Sequence, residues 1–312
     1  MKLTQLCFSP SLAMFILISL AAGCATQKQA TFPSPNDAVD AMVKASRAHD
    51  TSALHHIFGP DGDSLISSGD KVADNNALDR FVSSYDEKHQ LVPSGSGNMT
   101  LVLGKNDWPM PIPLVQAEAQ SRWRFDTAAG KDEILNRRVG NNELAAMQIC
   151  QAIVDAQIEY AQRDPDGDGV PEYAQRFHSE LGKKNGLYWE TKAGEPDSPL
   201  GPLVTDAAEE SYTHVPSPRS QPYHGYYFHI LKSQGPHAPG GAMDYIINGN
   251  MVGGFGLIAY PADYGNSGVM TFLTNHTGVI YQQDLGDDTE KTAKAIKSYD
   301  PGPGWTVVDE KK

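Results

Sequence analysis

Between Asn141 and Asp164 the chain reads NNELAAMQICQAIVDAQIEYAQRD, a stretch without Pro or Gly whose apolar side chains recur at helical spacing. The pattern predicts one long helix, with Leu144, Met147, Cys150, Val154 and Ile158 on its apolar face. Strand-like patterns lie on both sides of it. A long helix between two groups of short alternating strands excludes an all-β or all-helical chain and predicts an α+β protein.

Ahead of that helix, Ser34-Pro35-Asn36-Asp37 supplies an N-cap, a proline at the first helical position and an early acid, followed by the stripe Val39, Met42 and Val43. A second helix carries Leu54, Ile57 and Phe58 and stops at Gly59. A third, placed after an Asn75-Asn76 turn, carries Leu78, Phe81, Val82 and Tyr85. The runs MTLVLG, PIPLVQ, SRWRFD and KDEILNRRV, the last from Lys131, alternate as an antiparallel meander. Helices followed by a meander give the order of a nuclear-transport-factor-like cone, with the helices packed on a curved antiparallel sheet. Beyond the long helix, HGYYFHIL, AMDYIING, GGFGLIAYPA, GVMTFLT and GVIYQQD predict a second antiparallel sheet. A short acidic helix is expected near TDAAEES and another over residues 287–297.

The N-terminus reads as an export signal: Lys2, then an apolar run from Leu12 to Ala22, then LAAGC ending at Cys24. That run is too short for a retained membrane span, which needs roughly 20 residues. The small residues before Cys24 match the bacterial lipoprotein pattern, making Cys24 the expected lipidation site; a cut after Ala25 would release a soluble periplasmic protein instead. Ala25 following the cysteine favours the outer membrane. The expected organisation is a signal peptide over 1–23, a tether over 24–33, an N-terminal domain over 34–140 and a C-terminal domain over 141–312.

Losing residues 1–23 removes Lys2 and no acid, shifting the net charge from −13 to −14. An acidic chain makes a poor partner for nucleic acid. Cys7 leaves with the signal and Cys24 carries lipid, so Cys150 stands alone and no disulfide framework forms. Cys150 falls on the apolar face of the long helix, where a small hydrophobe is expected.

The segment after the long helix, RDPDGDGVPEYAQRF, repeats the first half of a calcium loop. Asp164, Asp166 and Asp168 would supply carboxylates, Val170 a carbonyl, Glu172 the ninth position and Gln175 the twelfth. A glutamine in place of the usual bidentate glutamate lowers the expected affinity to the order of 10⁻⁴–10⁻³ M. The competing reading is a helix-terminating turn built from Asp-Gly pairs. In the aromatic stretch YHGYYFHI, His224 or His229 would serve as a general base in a hydrolase, whereas a packed sheet explains the same residues without chemistry. The sequence contains no H-E-x-x-H, G-x-S-x-G, P-loop or C-x-x-C pattern.

Several long stretches carry a resemblance: WRFDTAAGKDEILNRRVGNNEL, DAQIEYAQRDPDGDGVPEYAQRF, PYHGYYFHIL, QGPHAPGGAMDYIING and YGNSGVMTFLTNHTGVIYQQDLG. They resemble the bacterial domain-of-unknown-function family 2950, which implies an exported envelope protein without an established activity. The second half, with its helix, DGDG loop and strands GYYF, AYP, SGVMTF and GVIY, looks like the globular part of type II secretion pseudopilins, which implies a helix packed on a sheet and a structural calcium. The expected function is binding or scaffolding in the cell envelope, with a lipid anchor to the membrane and an envelope protein or small ligand as partner. A periplasmic hydrolase acting on cell-wall or carbohydrate material, and a small-ligand-binding protein, are the alternatives.

Overall fold

The computed structural model describes residues 28–95, 97–117, 121–165, 167, 169–213 and 221–308. The export segment, Cys24, Asp166 and Asp168 lie outside the described residues.

The chain opens with α1 (Pro35–Arg47), α2 (Thr51–Phe58), the short α3 (Asp63–Ile66) and α4 (Lys71–Glu87). Ser34 caps α1, its Oγ accepting from Asp37 N at 3.1 Å, and Gly59 ends α2 with a φ of 71° that favours glycine. Helix α4 starts earlier than the sequence suggests. Asp70 caps it by accepting from Val72 N and Ala73 N, so Asn75 and Asn76 sit within the helix rather than in a turn.

The first sheet contains β1 (His89–Ser94), β2 (Asn98–Leu103), β3 (Trp108–Pro109), β4 (Leu114–Ala117) and β5 (Arg122–Phe125). Its order is β1-β2-β4-β5, with β3 also paired to β2, and all pairings are antiparallel. Leu101, Leu114 and Phe125 from this sheet join Val39, Met42, Leu54 and Ile57 from α1 and α2 in one buried cluster. Burying each such side chain contributes roughly 1.5–3 kcal/mol. Part of the segment read as a tether docks onto this unit: Gln29 donates to Ile57 O and Phe125 O, and Phe32 pairs with Trp123.

Helix α5 runs unbroken from Thr127 to Arg163, 37 residues, or about 55 Å at 1.5 Å per residue. It absorbs the expected strand from Lys131 and passes straight through Gly140. KDEILNRRV alternates weakly, but Gly130 brings the first turn against residues 111–112, where a Cβ would lie 2.4 Å from Pro111 O. Two successive pairs, Glu133–Arg137 and Glu159–Arg163, brace the exposed surface at i,i+4 spacing. Ile134 packs on the first core, whereas Ala146, Ile149, Cys150, Ile153, Ala156 and Tyr160 belong to a second. Leu144 and Ile158, expected on the buried stripe, are exposed. The buried face is rotated from the predicted one to carry Ile149, Ile153 and Tyr160 inward.

Helix α6 (Gly201–Glu209) follows, then β6 (Tyr226–Leu231), β7 (Ser233–Gln234), β8 (Met243–Asp244), β9 (Ile246–Ile247), β10 (Asn250–Met251), β11 (Gly256–Pro261), β12 (Met270–Asn275), β13 (Tyr281–Asp284), α7 (Thr289–Ala295) and β14 (Thr306–Val307). The second sheet has the order β14-β13-β12-β11-β6; β7–β8 and β9–β10 form small ribbons beside it. Strand β11 is buried throughout and alternates its faces. Leu257 and Ala259 pack with the α5 core, while Ile258 and Tyr260 pack with Leu273, Ala293 and Tyr299 on the α7 side. The architecture is α+β, as expected. No helix among the described residues is long and apolar enough to cross a membrane.

Candidate ligand-binding site

A cavity of about 330 Å³ lies where α1, α2 and the first sheet meet α4 and α5. Met42 and Leu54, both nearly inaccessible, together with Phe58, Ile112, Leu78 and Phe81, form its apolar wall. Ala77, Arg80 and Asn141 are exposed and mark its opening between α4 and α5. Ser68, Asp74, Arg138 and Asn142 supply the polar surface. Few polar groups converging on a mostly apolar hollow of this size is the usual form of a small-molecule site.

Each polar group is held in place. Asp74, one turn into α4, accepts from Ser68 N at 3.0 Å and from Ser68 Oγ at 2.7 Å. Arg138 on α5 donates to Ser64 O and Leu65 O, each at 2.6 Å, and to Asn266 Oδ1 in the β11–β12 turn. Asn142, one turn on, donates to Ser267 O at 2.8 Å. Burial pushes the Asp74 carboxyl above its ordinary 3.8, against the pull of the Ser68 hydrogen bonds and the Arg138 charge. Burial likewise lowers the affinity of Arg138 for its proton, opposed by the charges of Asp74 and Asp263.

The site spans the junction of the two cores. Asp70, inaccessible to solvent, accepts from Tyr212 OH and Gly225 N, both at 2.9 Å, while its other oxygen caps α4. Glu143 accepts from Val269 N and Met270 N at 3.0 Å, fixing α5 to β12. The elements that line the cavity are therefore the elements that join the halves.

Neither Asp74 nor Arg138 is marked by any local motif. Arg138 lies in the stretch read as a strand; placed on a helix, Ile134, Arg138 and Asn141 fall on one face, and that spacing is the signal that was available.

The Asp loop lies elsewhere, at the C-terminal end of α5. Asp164 ends the helix with a φ of 45°, and its Oδ2 accepts from Gly169 N at 3.0 Å, while its buried Oδ1 has no hydrogen-bond partner among the described residues. Glu172 accepts from Met251 N at 2.9 Å. Gln175 donates to Gly249 O at 2.7 Å and accepts from Lys232 Nζ at 3.3 Å. Glu172 and Gln175 thus attach the loop to the β9–β10 ribbon; Val170 lies partly buried between them and Asp164. Among the described residues no group of three or more His, Cys, Asp or Glu is set to hold a metal.

His224 and His229 are not brought together: His224 lies in the turn before β6 with a φ of 48°, and His229 lies within β6. His229 stacks on Tyr260 and contacts its hydroxyl at 3.1 Å, within the second sheet. His224 stands 3.0 Å from Glu210 at an open cleft that Asp206, Glu209 and Tyr223 also line. Burial and the neighbouring acids hold the Tyr223 hydroxyl protonated well beyond its ordinary range. Cys150 is inaccessible and its thiol is pushed up by burial, in keeping with a packing role.

Fold and cavity together define an α+β protein in which α5 packs into both large cores and a ligand-sized hollow lies in the first of them. The family described as "Protein of unknown function (DUF2950)" matches residues 29–308, and the chain belongs to it. No curated protein and no solved structure matches the chain. The cone and pseudopilin likenesses accordingly rest on sequence pattern alone.

Proposed function

We propose that this chain is an exported, lipid-anchored protein of the bacterial cell envelope that acts by binding a small ligand in the cavity between α1, α4 and α5. The observation that carries the binding reading is the cavity itself: buried apolar walls, an opening, and polar groups fixed by hydrogen bonds at one side. The apolar run ending in LAAGC supports export, with lipid on Cys24 holding the protein at the periplasmic face of the outer membrane. The Asp loop acts as a weak calcium site; the buried Oδ1 of Asp164, without a hydrogen-bond partner among the described residues, supports that role.

Thermal melting with and without short-chain amphiphiles tests the binding reading, because a ligand at a hundredfold excess over its Kd stabilises by about 2.7 kcal/mol. The wild type is expected to melt higher with ligand, and Leu54→Trp, which fills the cavity, to lose the shift. Unchanged melting across all probes would refute binding. Incorporation of labelled palmitate that stops on Cys24→Ala tests the anchor.

The His224–Glu210 pair favours a second reading, hydrolysis of cell-wall or carbohydrate material with His224 as general base. Among the described residues lining that cleft there is no Ser, Thr or Cys. Attack would therefore fall to water. Purified protein that degrades peptidoglycan, with activity lost in His224→Ala, would favour this reading over pure binding.

A further inference from the structure

The cavity holds a cation, Arg138, that forms no direct ion pair among the described residues. Arg138 lies on its wall, largely buried, and its hydrogen bonds run to two carbonyl oxygens and one carboxamide, all neutral. Asp74 and Asp263 act on it only through space; neither forms an ion pair with it among the described residues. Of the five guanidinium N–H donors, three are taken by these bonds, and the remaining two, on Nε and Nη2, have no hydrogen-bond partner among the described residues. A buried charge left unpaired is costly, and a charge-assisted, two-pronged bond to a carboxylate is the arrangement a guanidinium makes best.

Shape narrows the ligand further. The hollow of about 330 Å³ takes roughly eleven groups of ~30 Å³ each, the share of a water molecule in the liquid. Its deep wall, Met42, Leu54, Phe58 and Ile112, is apolar, with the Ser46 hydroxyl beside it on α1. Arg138 lies one turn from Asn141 at the opening. We propose, resting on the small-ligand reading above, that the cavity takes an amphipathic monocarboxylate: an aliphatic body enters first against Met42 and Leu54, and the carboxylate closes on Arg138.

Asp74 sets the charge limit. Its carboxyl shares the polar end of the cavity, so a second negative charge on the ligand would face a fixed repulsion that a single charge offset by Arg138 does not. The other charged groups facing this end are Asp70 at the N-cap of α4, Asp263 in the β11–β12 turn and Arg80 at the opening. Bringing an anion beside Asp74 raises its proton affinity further.

The test is direct titration of the mature protein with decanoate, decanol and decylammonium. Decanoate is expected to bind at least about tenfold more tightly than decanol, with decylammonium weakest. Arg138→Gln should erase the preference for decanoate over decanol. Because Arg138 also ties down α3, a second variant guards the result: Asp74→Asn should increase the preference for decanoate over decanol at neutral pH, where the ligand is ionised. Equal binding of decanoate and decanol overturns the carboxylate inference while leaving the cavity a binding site. Failure of all three amphiphiles to bind overturns both.

Discussion

The Asp70 carboxylate accepts a 2.9 Å hydrogen bond from the Tyr212 hydroxyl, linking residues 142 positions apart and, through them, the two cores. The same oxygen receives Gly225 N, and its partner oxygen caps α4. One side chain thus closes the junction beside the cavity.

Asp70→Ala should destabilise the fold by about 3 kcal/mol, because it strands several buried donors at roughly 1–3 kcal/mol each and removes a helix cap. Tyr212→Phe should cost about 1 kcal/mol. Urea unfolding of both single variants and the double variant measures the effect. Because the two groups share a bond, the double variant should be less destabilised than the sum.

Asp74 makes stability depend on pH in a defined direction. Its folded pKa lies above the ordinary 3.8, so between those values the folded state binds more proton than the unfolded state, and stability falls as pH rises through the window. Asp74→Asn removes that slope. Wild type and variant should therefore diverge as pH falls toward 3.8, with the wild type gaining stability relative to the variant, in denaturant melts taken along a pH series.

Gly130→Ala tests the seating of α5. A Cβ there meets backbone atoms of Pro111 at 2.4 and 2.5 Å, which cannot yield as a flexible side chain would. Overpacking of this kind costs about 1–3 kcal/mol and outweighs the ~1 kcal/mol that alanine adds to a helix. Gly140→Ala, where a Cβ has open space, should instead stabilise, and differential melting separates the two.

Calcium at millimolar, not micromolar, concentration should raise the melting temperature, since Glu172 and Gln175 are occupied by the β9–β10 ribbon. Asp164→Ala should abolish the rise. No shift at ten millimolar would remove calcium from the account.

Local chemistry carried much of the fold into the sequence. The Ser34 cap and the Gly59 stop were legible because each depends on neighbours within four residues. The strands from Tyr226, Gly256 and Met270 were legible because turn residues bracket them. The face of α5 was not. Gln157 is inaccessible although polar, since its carboxamide pairs in both directions with the Ala174 backbone at 2.8 Å, while Leu144 points to solvent. Periodicity ranks side chains by polarity and cannot see a partner seventeen residues away. The candidate site was hidden for the same reason: Arg138 acquires its meaning from Ser64, Leu65 and Asn266, which only the folded chain brings to it.

On the proposed function, the hollow between α1, α4 and α5 is occupied in the cell. Native mass spectrometry of the protein extracted gently from its own envelope reads this most directly. The account predicts a one-to-one adduct of a small amphipathic acid that disappears in Leu54→Trp. Bare protein mass in the wild type, with added amphiphiles failing to bind, would contradict it.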